Sequence, residues 1–338
     1  MGTESYFDVV IVGGGPAGLE CALNLGNSKL KVLLVERNKI VGDKPCGNGV
    51  GIEDLKYIPK HLLNFDFTGA KLHYNRKTYM IDSKFLATID RKKVLNYKLD
   101  KIKKFKNISV LLETEVKEVI SNNSLKLTNG KTIRFKYLVG ADGANSIVRK
   151  YLNLPLKKGM IGIQYIVPGK ANDFELYYDD ALFGTGYVWI FPYVDSYSVG
   201  VGSEMNVISP QKLKENFFYW LKKNKIDVSK GQLQVHMINS DYRGYKFCNV
   251  FLSGCAAGLT DGLNGKGIYS AFVSGEQIAK DILGQPHENK VLRCVNKNMY
   301  KELYLSLLKH PFLRQMLNRI YFLLLSCKKI RNTIVYYI

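Results

Sequence analysis

At 338 residues the chain can bury one large core or two intertwined ones, and 46% hydrophobic against 23% charged residues excludes general disorder. The 49 Lys and Arg against 29 Asp and Glu leave a net charge of +20, which attracts an anionic phospholipid surface or a phosphorylated substrate, unless it reflects only a Lys-rich background. Nucleic acid is not expected, because the basic residues are spread along the chain and no nucleic-acid module is present.

In chain order, the apolar run from Phe7 to Val12 predicts a buried parallel strand. A glycine turn, a helix from Pro16 to Asn27 and a second apolar strand from Val32 to Glu36 complete a βαβ opening. Alternation between Leu62 and Thr88 predicts a small antiparallel sheet, and Arg91 to Lys104 a basic helix. Strands follow near Val110, Leu125 and Tyr137 to Gly140, then a Tyr- and Gly-rich antiparallel sheet from Gly159 to Ser203. Pro210 to Asn224 reads as helix, Asn249 to Gly254 as strand, and Gly265 to Leu283 as helix, before a basic helical tail. The expected fold is α/β: a Rossmann-like FAD-binding domain, an inserted antiparallel β-sheet substrate domain and a C-terminal helical tail. The first is assigned 1–61, 89–158 and 246–285, the second 62–88 and 159–245, and the tail 286–338.

The opening carries G-x-G-x-x-G as Gly13, Gly15 and Gly18, with Pro16 and Ala17 between. Gly13 permits the tight turn, Gly15 lets backbone approach a pyrophosphate, and Gly18 lets helix and strand pack closely. The helix N-terminus then offers free N–H groups to phosphate. Glu36 closes the second strand, where a carboxylate accepts from ribose hydroxyls and favours FAD or NAD over NADP. The cysteines at 21, 46, 248, 255, 294 and 327 form no C-x-x-C pair. With the chain opening directly into a strand, the expectation is a reducing, cytoplasmic compartment. The histidines are too scattered for a metal site.

Two later glycine turns also follow strands: Gly140-Ala141-Asp142-Gly143, running on to Arg149, and Gly254-Cys255-Ala256-Ala257-Gly258. In this order they resemble the p-hydroxybenzoate-hydroxylase-type flavoproteins, and within them the geranylgeranyl reductase family. Tyr187-Val188-Trp189-Ile190-Phe191-Pro192, followed by Gly200-Val201-Gly202, is similar to that family's signature. The resemblance implies FAD rather than NAD. It implies cofactor contacts at Gly13, Gly15, Pro16, Ala17, Gly18, Glu36, Arg37, Lys44, Cys46, Gly47, Arg91, Asp142, Gly143, Gly254, Cys255, Gly265, Lys266, Gly267 and Ile268. It places Cys46, Tyr187, Trp189 and Phe191 at the reacting centre. Tyr187, Trp189 and Phe191 share one strand face, which either walls an apolar tunnel or forms an ordinary core stripe. Cys46, in Lys44-Pro45-Cys46-Gly47, either lies near the flavin ring or is a buried hydrophobe.

Three features depart from the family. Cys255 stands where an acid normally holds the ribityl chain, Lys266 stands where Glu is usual, and the C-terminal region is short. The implied activity is reduction of isoprenoid double bonds by hydride transfer from reduced FAD, with NADPH bound transiently or a ferredoxin-like protein as donor. A flavin monooxygenase or halogenase, and a non-catalytic flavin-fold lipid-binding protein, are the alternatives. In the tail, Leu313, Met316, Leu317, Ile320 and Leu324 recur at helical spacing, with Arg314, Gln315, Asn318 and Arg319 expected opposite. Such a helix either lies on an anionic membrane surface or packs on its own domain. The expected location is therefore cytoplasmic and peripheral to the membrane; the sequence specifies no oligomeric state.

Overall fold

The computed structural model describes residues 5–327, with the side chains of 83–85 left aside; 328–338 of the expected tail lie outside the described residues. Ser5–Val12 (β1) runs through the glycine turn into Pro16–Leu25 (α1), and Val32–Val35 (β2) returns parallel to it, Val9 opposite Val32. Gly49–Gly51 (β3) precedes a long hairpin, Leu63–Tyr74 (β4) and Lys77–Ile89 (β5). The Asp90 side chain accepts from Lys93 N and starts Arg91–Ile102 (α2). Ile108–Leu111 (β6) joins β2 in parallel. Val116–Ser121 (β7), Ser124–Leu127 (β8) and Thr132–Gly140 (β9) then meander, bringing β9 parallel to β1, ahead of Ile147–Tyr151 (α3).

The second half opens with Gly159–Pro168 (β10), Glu175–Tyr178 (β11) and the short helix Asp180–Phe183 (α4). Tyr187–Pro192 (β12), Ser196–Glu204 (β13), Pro210–Lys223 (α5) and Gln232–Asn239 (β14) follow. Lys246–Phe247 (β15) and Val250–Leu252 (β16) rejoin the first sheet, whose order is β15-β16-β9-β1-β2-β6. Ile268–Leu283 (α6), Lys290–Leu308 (α7) and Pro311–Ser326 (α8) end the described chain.

β2 is apolar throughout, and β1 from Val9 to Val12, because α1 and α6 cover one face of the sheet and β7, β8 and α3 the other. A Cβ on Gly275 would overlap the Ala17 carbonyl, so α6 rides directly on α1. Lys98 of α2 donates to Glu20 of α1 at 2.7 Å, a buried pair that fixes the third helix of this layer.

The hairpin and the later strands are one eight-stranded sheet, ordered β14-β10-β13-β12-β11-β4-β5-β3. The two parts join where β11 pairs with β4 in parallel, Glu175 opposite Lys71 and Tyr178 opposite Tyr74. β3 also pairs here, with β5, although the division at residue 61 groups it with the first sheet. On the outer face, Leu213, Phe217, Trp220 and Leu221 of α5 pack over Val188, Val199 and Val201. The opposite face is left to the site.

In the tail the expected helix forms, but its polar face is corrected. Arg314 is 8% exposed, and its guanidinium donates to Leu308 O at 3.1 Å and to Asp180 O at 3.2 Å. The carbonyl at the end of α7 lacks an intrahelical partner, and Arg314 satisfies it. Phe322 and Leu325 turn inward with Arg314, against Ala70, Leu72 and Tyr74. Leu313 and Leu317 are only half-buried, and Phe312, Met316, Ile320 and Leu323 point outward.

Candidate active site

A continuous cavity of about 1660 Å³ runs between the two sheets. Small-ligand sites commonly span about 300–1,000 Å³, so this one has room for a dinucleotide and a second ligand. At one end lies the glycine turn. Gly13 has φ +105, a conformation that only glycine adopts freely, and a Cβ there would overlap the Ala141 carbonyl. A Cβ on Gly18 would overlap the Gly13 carbonyl, which accounts for the third glycine of the fingerprint. Gly15 N-caps α1, with its Cβ direction open towards Arg91.

Glu36 accepts from Gly14 N at 2.6 Å and from Asn38 N at 2.8 Å, so its carboxylate is held at the cavity wall with acceptor capacity to spare. Arg37 is exposed at the rim, 3.9 Å from Glu115. Lys44 lies over Gly143, its ammonium 3.0 Å from where a Cβ would stand, and burial lowers its pKa. Arg91 Nε is buried with no hydrogen-bond partner. Asp142 Oδ2 accepts from Ile147 N at 2.7 Å, while its buried Oδ1 has no partner; burial raises the carboxyl's pKa. His236 of β14 lines the same wall, and burial followed by Lys44, Arg91 and Arg37 pushes its pKa down to about 3. Lys44, the orphaned Arg91 guanidinium nitrogen and the glycine cradle fit the pyrophosphate of FAD, and Glu36 fits its ribose.

At the middle of the cavity the signature residues form one face. Trp189 lies over β13, where a Cβ on Gly200 would overlap the indole, and Gly202 leaves 3.5 Å. The G-x-G pair is therefore the bed on which the indole rests. Trp189 Nε1 donates to Ser198 Oγ at 2.9 Å, which donates to Gln164 Oε1 at 3.0 Å, and Gln164 Nε2 donates to the Cys46 carbonyl at 3.2 Å. Cys46 Sγ accepts from Asn48 N at 3.4 Å, and Tyr193 OH donates to Gly47 O at 3.0 Å. Phe191 packs under Gly47 and Gly49. The Cys46 loop is thus pinned to the aromatic strand from both sides.

Tyr187 OH donates to Asn264 O at 2.6 Å, tying the strand to the turn ahead of α6. That helix starts at Ile268, three residues after the expected Gly265, because Gly265 takes φ +69 and Gly267 serves as N-cap. Gly267 and Ile268 line the cavity at the N-terminus of this helix. Lys266 stands in the cavity mouth, where the surrounding protein, and then Lys301, lower its pKa. Gly254 lies in a 3-10 turn with φ +57, and Cys255 Sγ accepts from Asn239 N at 3.2 Å beside Lys44. Arg149, at the end of the second glycine turn, faces away from the cavity as a buried strut to Asp241 and Ala256 O.

Beyond the signature strand the cavity becomes a groove walled by rings in series. Phe174 stacks on Phe191 at 3.9 Å; Trp189, Tyr187, Tyr178 and Phe322 continue the series with centroids 5.4–6.3 Å apart. Phe174, Tyr178, Tyr304, Tyr321 and Phe322 were not singled out in the sequence, since they sit on β11 and the loop before it, on α7 and on α8, which meet only in the fold. Gln164, Ser198 and His236 were missed for the same reason. Among the described residues no group of His, Cys, Asp or Glu could hold a metal.

Residues 7–155 match the family described as pyridine nucleotide-disulphide oxidoreductase. The chain is 26% identical over 317 residues to a geranylgeranyl diphosphate reductase of Rhodobacter capsulatus, covering 85% of this chain and 79% of that one. It is 26% identical over 314 residues to a digeranylgeranylglycerophospholipid reductase of Thermoplasma acidophilum, covering 82% and 78%. The chain is a FAD-dependent oxidoreductase related to the geranylgeranyl reductases. Its fold is that of a geranylgeranyl bacteriochlorophyll reductase-like protein from Thermoplasma acidophilum, with TM-score 0.74, 21% identity and coverage of 98% and 91%.

Proposed function

We propose that the chain reduces carbon–carbon double bonds of an isoprenoid chain carried by a lipid, at a membrane surface. The observation that carries this reading is the continuity of one cavity from the glycine cradle to a groove of aromatic rings. A flavin site alone would suit many chemistries. A long, ring-walled groove leading away from it suits an extended apolar substrate.

Bound FAD, once reduced, supplies a hydride for one carbon of the alkene. The chain's own residues do the rest. Gly13, Gly15 and Arg91 take the pyrophosphate, Glu36 the ribose, and Gly267 and Ile268 offer amide N–H groups to the ring's electron-rich edge. Tyr187, Trp189 and Phe191 hold the alkene in place and keep water out. Cys46, its thiol fixed by Asn48 N, donates the proton from Sγ to the other alkene carbon and is reprotonated from solvent. Electrons reach the site from NADPH bound in passing or from a ferredoxin-like protein.

The test is an anaerobic one. The purified protein should show a flavin spectrum, be reduced, and reoxidise when a geranylgeranyl lipid is added without oxygen. Reduced protein that ignores the lipid but reoxidises at once with oxygen overturns this reading in favour of a monooxygenase. Failure to take up flavin at all makes the fold a binding protein without turnover.

A further inference from the structure

The two tail helices carry apolar residues on two sides: one set packs inward, and a second set stays in solvent. On α7, Tyr304 and Leu308 line the cavity beside Lys297, Asn298 and Lys301, while Tyr300 and Leu303 on the other side are 76% and 68% exposed. On α8, Arg314 and Asn318 face inward, while Phe312 and Leu323 are 78% and 71% exposed. Met299 and Leu307 of α7, and Met316 and Ile320 of α8, extend the same outward stripes. A water-facing helix places its apolar stripe against the core, and clustered exposure of this kind marks a surface that meets something apolar.

Charge says which occupant. After Glu302 the sequence holds six Lys and Arg and no Asp or Glu; Arg319 is exposed, whereas Arg314 is turned inward and Lys309 pairs with Glu204 at 3.3 Å. The whole chain adds a net +20. A second copy would bring the same positive charge to the contact and oppose it, whereas an anionic bilayer complements it. Among the described residues no helix is long and apolar enough to cross a membrane. Helices lying in the interfacial plane need only one apolar side.

We propose that α7 and α8 are the membrane-seating surface: their outward apolar residues enter the headgroup region of an anionic bilayer. Their inward residues Tyr304, Leu308, Tyr321 and Phe322 line the substrate groove, so the lipid passes from the bilayer into the cavity between these helices. The proposal rests on the reading of a lipid substrate given above.

The experiment is flotation of the full-length protein, loaded with flavin, on phosphatidylglycerol-containing vesicles, beside Leu303→Ser/Phe312→Ser/Leu323→Ser. All three side chains are largely in solvent, so the variant should keep its melting temperature and flavin content. Each buried apolar side chain is worth about tenfold or more in partition, so the variant should leave the vesicles while wild type floats. Wild type that stays in solution, or a variant that floats equally well, overturns the proposal. A wild-type dimer in sedimentation that the variant splits, with no flotation, assigns the face to a second copy instead. Reoxidation by micelle-free geranylgeranyl diphosphate, measured on both proteins, separates the two ideas: turnover without flotation sinks only the membrane surface, and flotation without turnover sinks only the reductase.

Discussion

Across β13 from Trp189, position 200 has space for a hydrogen and nothing larger, because the indole fills it. Gly200→Ala should shift the ring, break its bond to Ser198 and loosen the line of contacts to Cys46. Overpacking of this kind costs about 1–3 kcal/mol. Denaturant unfolding and tryptophan emission should both move; an unchanged emission maximum would mean that the indole does not depend on the glycine bed. Cys255 raises a different question, since a thiol there makes only a weak contact with Asn239 N. A carboxylate able to accept from the cofactor's hydroxyls adds a charged hydrogen bond worth about 1.5–3 kcal/mol. Cys255→Asp should therefore lower the Kd for FAD about ten- to a hundredfold, as read by flavin fluorescence. An unaltered Kd would show that Lys44 and Arg91 already hold the cofactor without it. Both residues could be singled out in the sequence; what Trp189 rests on, and which groups surround Cys255, could not.

Between elements, the 3-10 turn Ile52–Lys56 after β3 is held by Asp54, whose Oδ2 accepts from Gly51 N at 2.9 Å. Its Oδ1 is buried without a partner, and burial pushes the carboxyl up to about 6. The folded pKa lies above the unfolded one, about 3.9. The native state therefore binds more protons in between, and the stabilisation present below pH ~4 is lost as pH rises through about 6. Asp54→Asn keeps an acceptor for Gly51 and cannot ionise. It should melt higher than wild type at pH 8 and close to it at pH 4.5; an equal gain at both would show that ionisation of Asp54 is not the penalty. At this scale the pattern of apolar runs made β1, β2, α1 and α6 legible. The short strands β3 and β15 were not, because each is specified by the partner it pairs with rather than by its own alternation.

For the molecule as a whole, the order of the sheets decides where chemistry can occur. The parallel pairing of β11 with β4 turns two stretches of antiparallel sheet into one wall, and that wall faces the cofactor end of the other sheet. On the proposal above, the exposed stripes of α7 and α8 are where the surplus of positive charge acts. If charge and apolar contact act together there, flotation should weaken steadily as salt shortens the screening length from about 10 Å at 0.1 M to 3 Å at 1 M. Insensitivity to salt would leave the apolar contact as the whole of the attraction.

Taken alone, the sequence determined the nucleotide turn and the aromatic signature strand, because both are local. A fingerprint needs only glycines at fixed spacing after an apolar strand, and alternation by itself puts Tyr187, Trp189 and Phe191 on one face. Tertiary structure decided the rest. Arg314 sits beside the unpaired carbonyls of Leu308 and Asp180, and satisfying them outweighed the helical pattern that placed it outside. The groove exists only where β11, β12, α7 and α8 converge. No spacing in the chain encodes that meeting, because it depends on which strands pair and which carbonyls must be satisfied once they do.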